Sequence, residues 1–475
     1  MTTTSFFQNS SIKITLKLAL IFFLTLFLLI PKFMILDLVQ ERQRLSESVT
    51  NEVAKGWGNR QTHTGPALVI PYYHYIQEED KTKPPVKTKT QLIVFPETLS
   101  VDGQIETESK YRSLYKVLLY KTGLKVKGNF KLPDATLTNI KTEDLLLGEA
   151  SIIMGVSDPK GINAEISLEW NGTPAILYPG MNDIYFTVDQ NYETKNPEFI
   201  SSYDHHSPNI NTGLQAKIAL DATTQNYEFS YNLDLRGSKA LLFAPLAKSN
   251  SVHLNSAFPD PVFYGGFLPD HKTDSKGFDA NWNIFEYNKS IPAFIKDNPS
   301  ISIGDNLFGV EIRVLIDNYA KTYRAGKYMI LFVILTFLVV FLTEIVEKIN
   351  IHIFQYTLIG LALAIFFTLL LSISEFWGFD MAYVGAATAT IGLIFLYSLG
   401  MFKNKKSSGL LLGLMISLFA YIYIIIQLEK TALLAGSIGL FVIIAMTMYV
   451  TRKIKWFEES EKINSDSILP TELNK

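Results

Sequence analysis

The residues best able to do chemistry are seven histidines: His63, His74, His205, His206, His253, His271 and His352. Only His205 and His206 are neighbours, in "SSYDHHSPN" beside Asp204. Adjacent side chains on an extended loop point apart, so this pair would need distant partners to clamp a metal. The chain has no cysteine, which removes disulfides, thiolate nucleophiles and cysteine-ligated zinc or iron–sulfur sites. No HExxH, no GxSxG and no glycine-rich phosphate loop occurs. A Ser–His–Asp set can still assemble across space, yet nothing nominates a nucleophile. No catalytic residue, metal ligand or cofactor is expected.

Ionisable groups beside long apolar runs are a second kind of candidate, because charge is expensive at membrane depth. Glu344 and Glu347 follow one such run. Glu375 closes another, beside Phe376, Trp377 and Phe379, and could carry a proton, bind a substrate cation or serve as a hydrated helix end. A third candidate is "FPDPVFYGGFLPDHKTDSKGFDANW", Phe258 to Trp282. Pro259, Pro261 and Pro269 fix extended backbone there, and Gly265-Gly266 permits a sharp reversal. Phe263, Tyr264 and Phe267 around that reversal either fill a core or form an exposed ledge for lipid, glycan or a partner protein. "GPALVIPYY" (Gly65–Tyr73) carries the same two readings.

The elements that position these groups fall into two kinds. Crossing a hydrocarbon core takes about 20 mostly apolar residues. Six segments qualify: Ile14–Leu36, Tyr328–Thr343, Phe354–Ile373, Met381–Leu399, Leu410–Gln427 and Ala432–Val450. The first is followed by no small-residue cleavage site and reads on as helix through "PKFMILDLVQERQR", so it is expected to stay as an anchor. Lys17 is expected to snorkel to one interface and Lys32 toward the other.

With the N-terminus inside, nine Lys and Arg residues flank the spans on the cytoplasmic side, against Lys430 alone outside. That bias places both termini in the cytoplasm and the polar middle across the membrane. The net charge of −2 gives no argument for nucleic acid as a partner. No span centre carries a charge, which argues against an ion-coupled pump. Gly385, Gly392 and Gly400, with Ala386, Ala387 and Ala389, would allow close packing of the fourth span.

Past the first span, Leu45, Val49, Val53 and Trp57 recur every fourth residue and mark a helix that is either a stalk packed on the domain or a plain juxtamembrane segment. From Ala67 the pattern is that of strands, including "ALVIPYYHYI", "TQLIVF" and a half-buried "GVEIRVLI" (Gly309–Ile316). Hairpin turns are expected at Asn171-Gly172 and at Asp102-Gly103. The expected fold is six transmembrane α-helices with a large antiparallel β-rich periplasmic domain, a sandwich or two stacked modules, between the first and second helices. The divisions are 1–13 cytoplasmic, 14–36 first span, 37–327 stalk and ectodomain, 328–450 five-helix bundle, and 451–475 cytoplasmic tail.

Several stretches resemble the CreD family of inner-membrane proteins associated with cell-envelope integrity and colicin tolerance. They include "LLIPKFMI", "GPALVIP", "FPETLSVDG", "SDPKGI", "PDPVFYGGFLPD", "YMILFVILTFLVVFLTEI", "QYTLIGLALAIFF" and "TRKIKWF". The polar tail after Phe457 departs from the pattern. The resemblance implies a multi-pass protein of the Gram-negative inner membrane, often under a two-component system that answers envelope or nutrient conditions, and linked to β-lactam response. It supplies no catalytic residues and no substrate. The function that fits best is non-enzymatic support of envelope integrity and stress response, with the β domain binding a lipid, a glycan or a periplasmic protein. A transporter or flippase built on the helical bundle is the alternative, and a membrane-bound hydrolase a third reading.

Overall fold

The computed structural model describes residues 10–77, 84–188, 209–221, 223–312, 317–428 and 432–452. The chain divides into two compact units, Met1–Leu45 with Ile316–Lys475, and Ser46–Leu315.

The first unit is helical. α1 (Ser10–Phe27) and α2 (Leu29–Trp57) cover the first expected span but are broken at Leu28. The expected helix continues across this single turn residue, and the interruption has a local cause. Pro31 has no N–H, and its ring collides with the carbonyl four residues back, at Phe27. Later in the chain, after the one-turn α3 (Ala135–Thr138), come α4 (Asp317–Lys327), α5 (Met329–Glu347), α6 (Ile353–Trp377), α7 (Phe379–Met401), α8 (Lys405–Gln427) and α9 (Ala432–Thr451). Among the described residues, five helical stretches are long and apolar enough to cross a membrane: Thr15–Trp57, Met329–Glu347, Ile353–Trp377, Phe379–Met401 and Lys405–Gln427. The sixth expected segment is the 20-residue helix α9.

Helix ends are set by capping side chains. His352 accepts a hydrogen bond from the Phe354 amide at the start of α6, and its own amide donates to the Gln355 side-chain oxygen. Asn404 caps α8 in the same sense. The interior of the bundle is filled by rings, with Phe332 4.5 Å from Phe419 and Phe366 4.8 Å from Phe367 and 4.9 Å from Phe419. α7 packs through Ala382, Tyr383, Ala386 and Thr390. Gly385, Gly392 and Gly400 face away from that contact, and a β-carbon added at any of them would meet nothing. Close packing thus rests on the alanines and not on those glycines.

The second unit is built of strands. The first seven are β1 (Gln61–Ile76), β2 (Val86–Val94), β3 (Thr98–Arg112), β4 (Tyr115–Lys131), β5 (Ser151–Val156), β6 (Leu168–Trp170) and β7 (Thr173–Ala175). Next come β8 (Tyr178–Pro179), β9 (Tyr185–Thr187), β10 (Gly213–Lys217), β11 (Asn226–Ala244), β12 (Ser249–Ser256) and β13 (Val262–Gly265). β14 (Asp270–Asp274), β15 (Gly277–Phe285), β16 (Phe294–Lys296), β17 (Ser300–Ser302) and β18 (Phe308–Ile312) complete the set.

Two sheets share β11. Its first part lies beside β4 and β6 in the order β14-β15-β12-β3-β4-β11. Its last part lies between β18 and β1, with β5 and β10 beyond. One hydrophobic core joins the inner faces, with Leu124, Val126, Leu254 and Trp282 from the first sheet and Leu68, Ile152, Phe243 and Phe308 from the second. This is the expected sandwich, but it is not wholly antiparallel: β1 with β11, β3 with β12 and β9 with β17 are parallel pairs.

The second sheet is covered on its other face too, where Val69, Ile93 and Ile153 meet Met181, Phe186, Ile301 and Leu307. Burial on both faces explains the unbroken apolar run of β1. It also explains why β18 is buried at all five positions and does not alternate as expected. Residues 313–316 of that expected strand lie outside the described residues.

The Asn171-Gly172 hairpin joins β6 to β7, both residues at positive φ. Asp102-Gly103 is no turn. Both residues lie inside β3, paired with Lys125 and Leu124, and the reversal comes at Ser113-Leu114. Of the stalk stripe, Leu45 is exposed; Ser46 and Ala54 are the buried positions, with Val49, Val53 and Trp57 half-buried.

Candidate functional site

The stretch around Phe263 is an edge of the sandwich. β13 pairs with β18, setting Phe263 opposite Val310 and Gly265 opposite Phe308. Phe263 packs between His271, 4.6 Å away, and Trp282, 5.8 Å away. Phe267 lies edge-on to Phe308, and its carbonyl accepts the Trp282 indole N–H at 3.1 Å. Tyr264 is buried with Ala240 and Leu242 under the Arg60 guanidinium. Gly265 has a φ of +105°, and a side chain there would also strike the Leu307 carbonyl, so both the backbone and the space call for glycine. Gly266 is exposed, and Leu268 beyond it is 80% exposed. The three rings therefore pack inward, and what projects is Leu268.

Glu375, one turn from the end of α6, is only 11% exposed. It accepts from the Tyr319 hydroxyl at 3.3 Å, and Arg42 lies at 3.9 Å. Nearby in the chain, Asp380 accepts from Tyr423 and Gln427. A more deeply buried charge lies toward the opposite end of the bundle. Glu344 is 8% exposed and Lys17, its partner on α1, 18%. The Lys17 ammonium also bonds the Ile351 carbonyl at 2.5 Å and Asn350 at 3.3 Å. The Ile351 amide and the Tyr356 hydroxyl complete the carboxylate's shell at 3.1 and 2.9 Å. Sequence reasoning noticed both residues but not the pairing, which is separated by over 300 positions and follows no motif. Ser407 donates to Glu347 nearby.

The histidines have local duties. His63 is fully buried, its Nδ1 3.3 Å from the Gly155 carbonyl and its Nε2 2.9 Å from the Tyr231 hydroxyl. Burial lowers its pKa to about 4. His253 bridges Asp102 at 2.7 Å and Asp279 at 3.0 Å, and hydrogen bonds to Asp279 and Asp102 raise its pKa. His205 and His206 lie outside the described residues. Among the described residues, no group of three or more His, Asp or Glu is placed to hold a metal.

The bridge made by His253 lies on the outer face of the first sheet, which the sequence did not single out. Strand alternation sends Val101, Ile105, Leu124 and Val126 inward and leaves Asp102, Gln104, Lys125 and Lys127 outside. Three clefts of about 420, 310 and 730 Å³ follow one another along β3, β4 and β11. Asp102 and Lys125 line the first and second, and Lys127 and Ser230 the second and third, so they form one trough. Gly123 keeps its floor low between Lys121 and Lys125, because a β-carbon there would press on Asp234. The trough offers carboxamides, hydroxyls and charges of both signs, which is chemistry for a polar, extended ligand.

Comparison with known proteins places this architecture. The chain is 28% identical over 447 residues, 93% of each protein, to the Inner membrane protein CreD of Escherichia coli (strain K12). A model of the family described as "Inner membrane protein CreD" matches residues 13–457. That match spans both units and nearly the whole sequence, so the chain belongs to the CreD family of inner membrane proteins.

Proposed function

We propose that the protein is a non-enzymatic inner-membrane component that supports cell-envelope integrity under stress, with its β unit as the binding part. The observation that carries this reading is the continuous polar trough on the outer face of the first sheet, walled on one side by Asn163, Ser167 and Glu169. A sandwich already closed by one core would tolerate any solvated residues on that face. A chain of connected clefts with a glycine-lowered floor instead suits an extended polar partner, a glycan or a segment of a periplasmic protein. In the same reading α9 is a sixth span, both termini are cytoplasmic and the β unit is periplasmic, an orientation supported by the bias of the flanking Lys and Arg residues.

The alternative of transport through the bundle is less well supported, because Phe332, Phe366, Phe367 and Phe419 fill its interior. The test uses substitutions that fill the trough without touching the core. Ser100→Trp with Asn232→Trp should leave the protein at wild-type abundance and thermal stability. It should abolish rescue of a deletion strain from envelope stress such as detergent with chelator. Full rescue by the doubly filled variant would remove the trough from the function.

A further inference from the structure

The β3–β4 hairpin is longer than the sheet that holds it. β12 accompanies β3 only from Thr98 to Ile105, and β11 accompanies β4 only as far as Leu119. Beyond those points the two strands continue as a ribbon paired to each other alone, as far as Arg112 and Tyr115. A bare two-stranded ribbon is marginally stable in water. This one is braced along the last turns of α2. The Lys110 ammonium sits 3.7 Å from the centre of the Trp57 ring, and Arg112 bonds Glu52 at 2.6 Å. Moving two residues toward the ribbon's turn thus moves five residues back along the helix, so the turn points toward the helix's N-terminal direction.

The tip reads "KYRSLYK", Lys110 to Lys116, with three cations and no acid. Tyr111 is 72% exposed and Leu114 44%. Rings that combine an apolar body with a polar hydroxyl belong at the headgroup level of a bilayer, and cations beside them attract anionic lipid. A merely solvated turn has no need of an exposed tyrosine and leucine held out on a braced arm.

We propose that this tip is a lipid-contact site, in which the exposed Lys116, together with the brace cations Lys110 and Arg112, meets anionic phospholipid headgroups while Tyr111 and Leu114 enter the interface. The site is separate from the trough and stands whether or not the trough binds a partner. It gives the β unit a foothold on the bilayer besides its two chain connections.

The absence of native cysteine allows a clean test on the full-length protein. Ser113→Cys, and as a control Ser275→Cys in the β14–β15 turn, are each labelled with an environment-sensitive fluorophore. Both are reconstituted into phosphatidylcholine vesicles with or without phosphatidylglycerol, with a nitroxide on the lipid headgroups as quencher. The expected result is severalfold stronger quenching at 113 than at 275, present with phosphatidylglycerol and reduced without it. It should be lost in both Lys110→Gln/Arg112→Gln/Lys116→Gln and Tyr111→Ser/Leu114→Ser backgrounds that keep the wild-type thermal transition. Equal quenching at the two positions would overturn the proposal. Quenching indifferent to lipid charge and to the triple Gln variant would overturn the headgroup assignment. Crosslinking of the 113 position to a protein in native membranes, without quenching in vesicles, would assign the tip to a protein partner instead.

Discussion

Lys17 and Glu344 show how much rests on a single pair in the membrane unit. Two buried charges are tolerable there because Lys17 also donates to the Asn350 side chain and the Ile351 carbonyl, while Glu344 also accepts from the Ile351 amide and the Tyr356 hydroxyl. Lys17→Met should cost about 3–5 kcal/mol, because it strands a buried carboxylate. Adding Glu344→Gln should recover part of that loss. Thermal melting of the detergent-solubilised variants, followed by size exclusion, checks the order: the single substitution melts below the double. His63 acts through pH. Its unfolded value is 6.5 and burial takes it to about 4, so between those limits the unfolded chain binds the extra proton. Stability is therefore full above pH 6.5 and falls as pH drops toward 4, by about 3 kcal/mol in all. His63→Gln, which can still bond Tyr231 and Gly155, should flatten this dependence in denaturant titrations read by tryptophan fluorescence. His253 works in the opposite sense. Its raised pKa gives stability present below pH 6.5 and lost as pH rises through the raised value.

At the scale of elements, the two glycines of "FYGG" have unequal tasks. Gly265 needs a φ of +105° against the Leu307 carbonyl, whereas Gly266 has ordinary backbone and meets only Asp305. Gly265→Ala should lower stability by about 1–3 kcal/mol and Gly266→Ala by less, as measured by chemical denaturation. The rings around them were legible as a well-specified aromatic turn, but not as inward-facing. Which way they point depends on β18, more than 40 residues later in the chain. The same limit explains Asp102-Gly103. Locally it is a turn signal, but the alternation from Val101 to Ile105 matches a strand, and pairing with both β4 and β12 decides the matter. The long apolar helices were easier to read, since hydropathy alone marks them; the turn before Pro31, the one-turn α3 and the short polar α4 escaped. The trough was invisible because the β3–β4 hairpin is completed by β11, which begins at Asn226, far along the chain, and the residues form no motif.

For the whole molecule, the lack of cysteine turns orientation into a direct measurement. With both termini cytoplasmic, Ser275→Cys should react with an impermeant maleimide in intact spheroplasts, and Lys406→Cys only after the membrane is opened. The reverse pattern would invert the topology. The unit Ser46–Leu315 also has a notable pair of ends. Its chain enters through β1, with Gln61 beside Leu241, and leaves through β18, with Ile312 beside Lys239. Both ends therefore flank one stretch of β11, and both strands run lengthwise against it. A load drawn along β11, away from those ends, would strain the β1 and β18 ladders in shear, with all their hydrogen bonds resisting together. Prising the two ends sideways would peel the same bonds one at a time. The ladder geometry alone thus predicts greater resistance to traction along the long strand than to prising at the two chain ends.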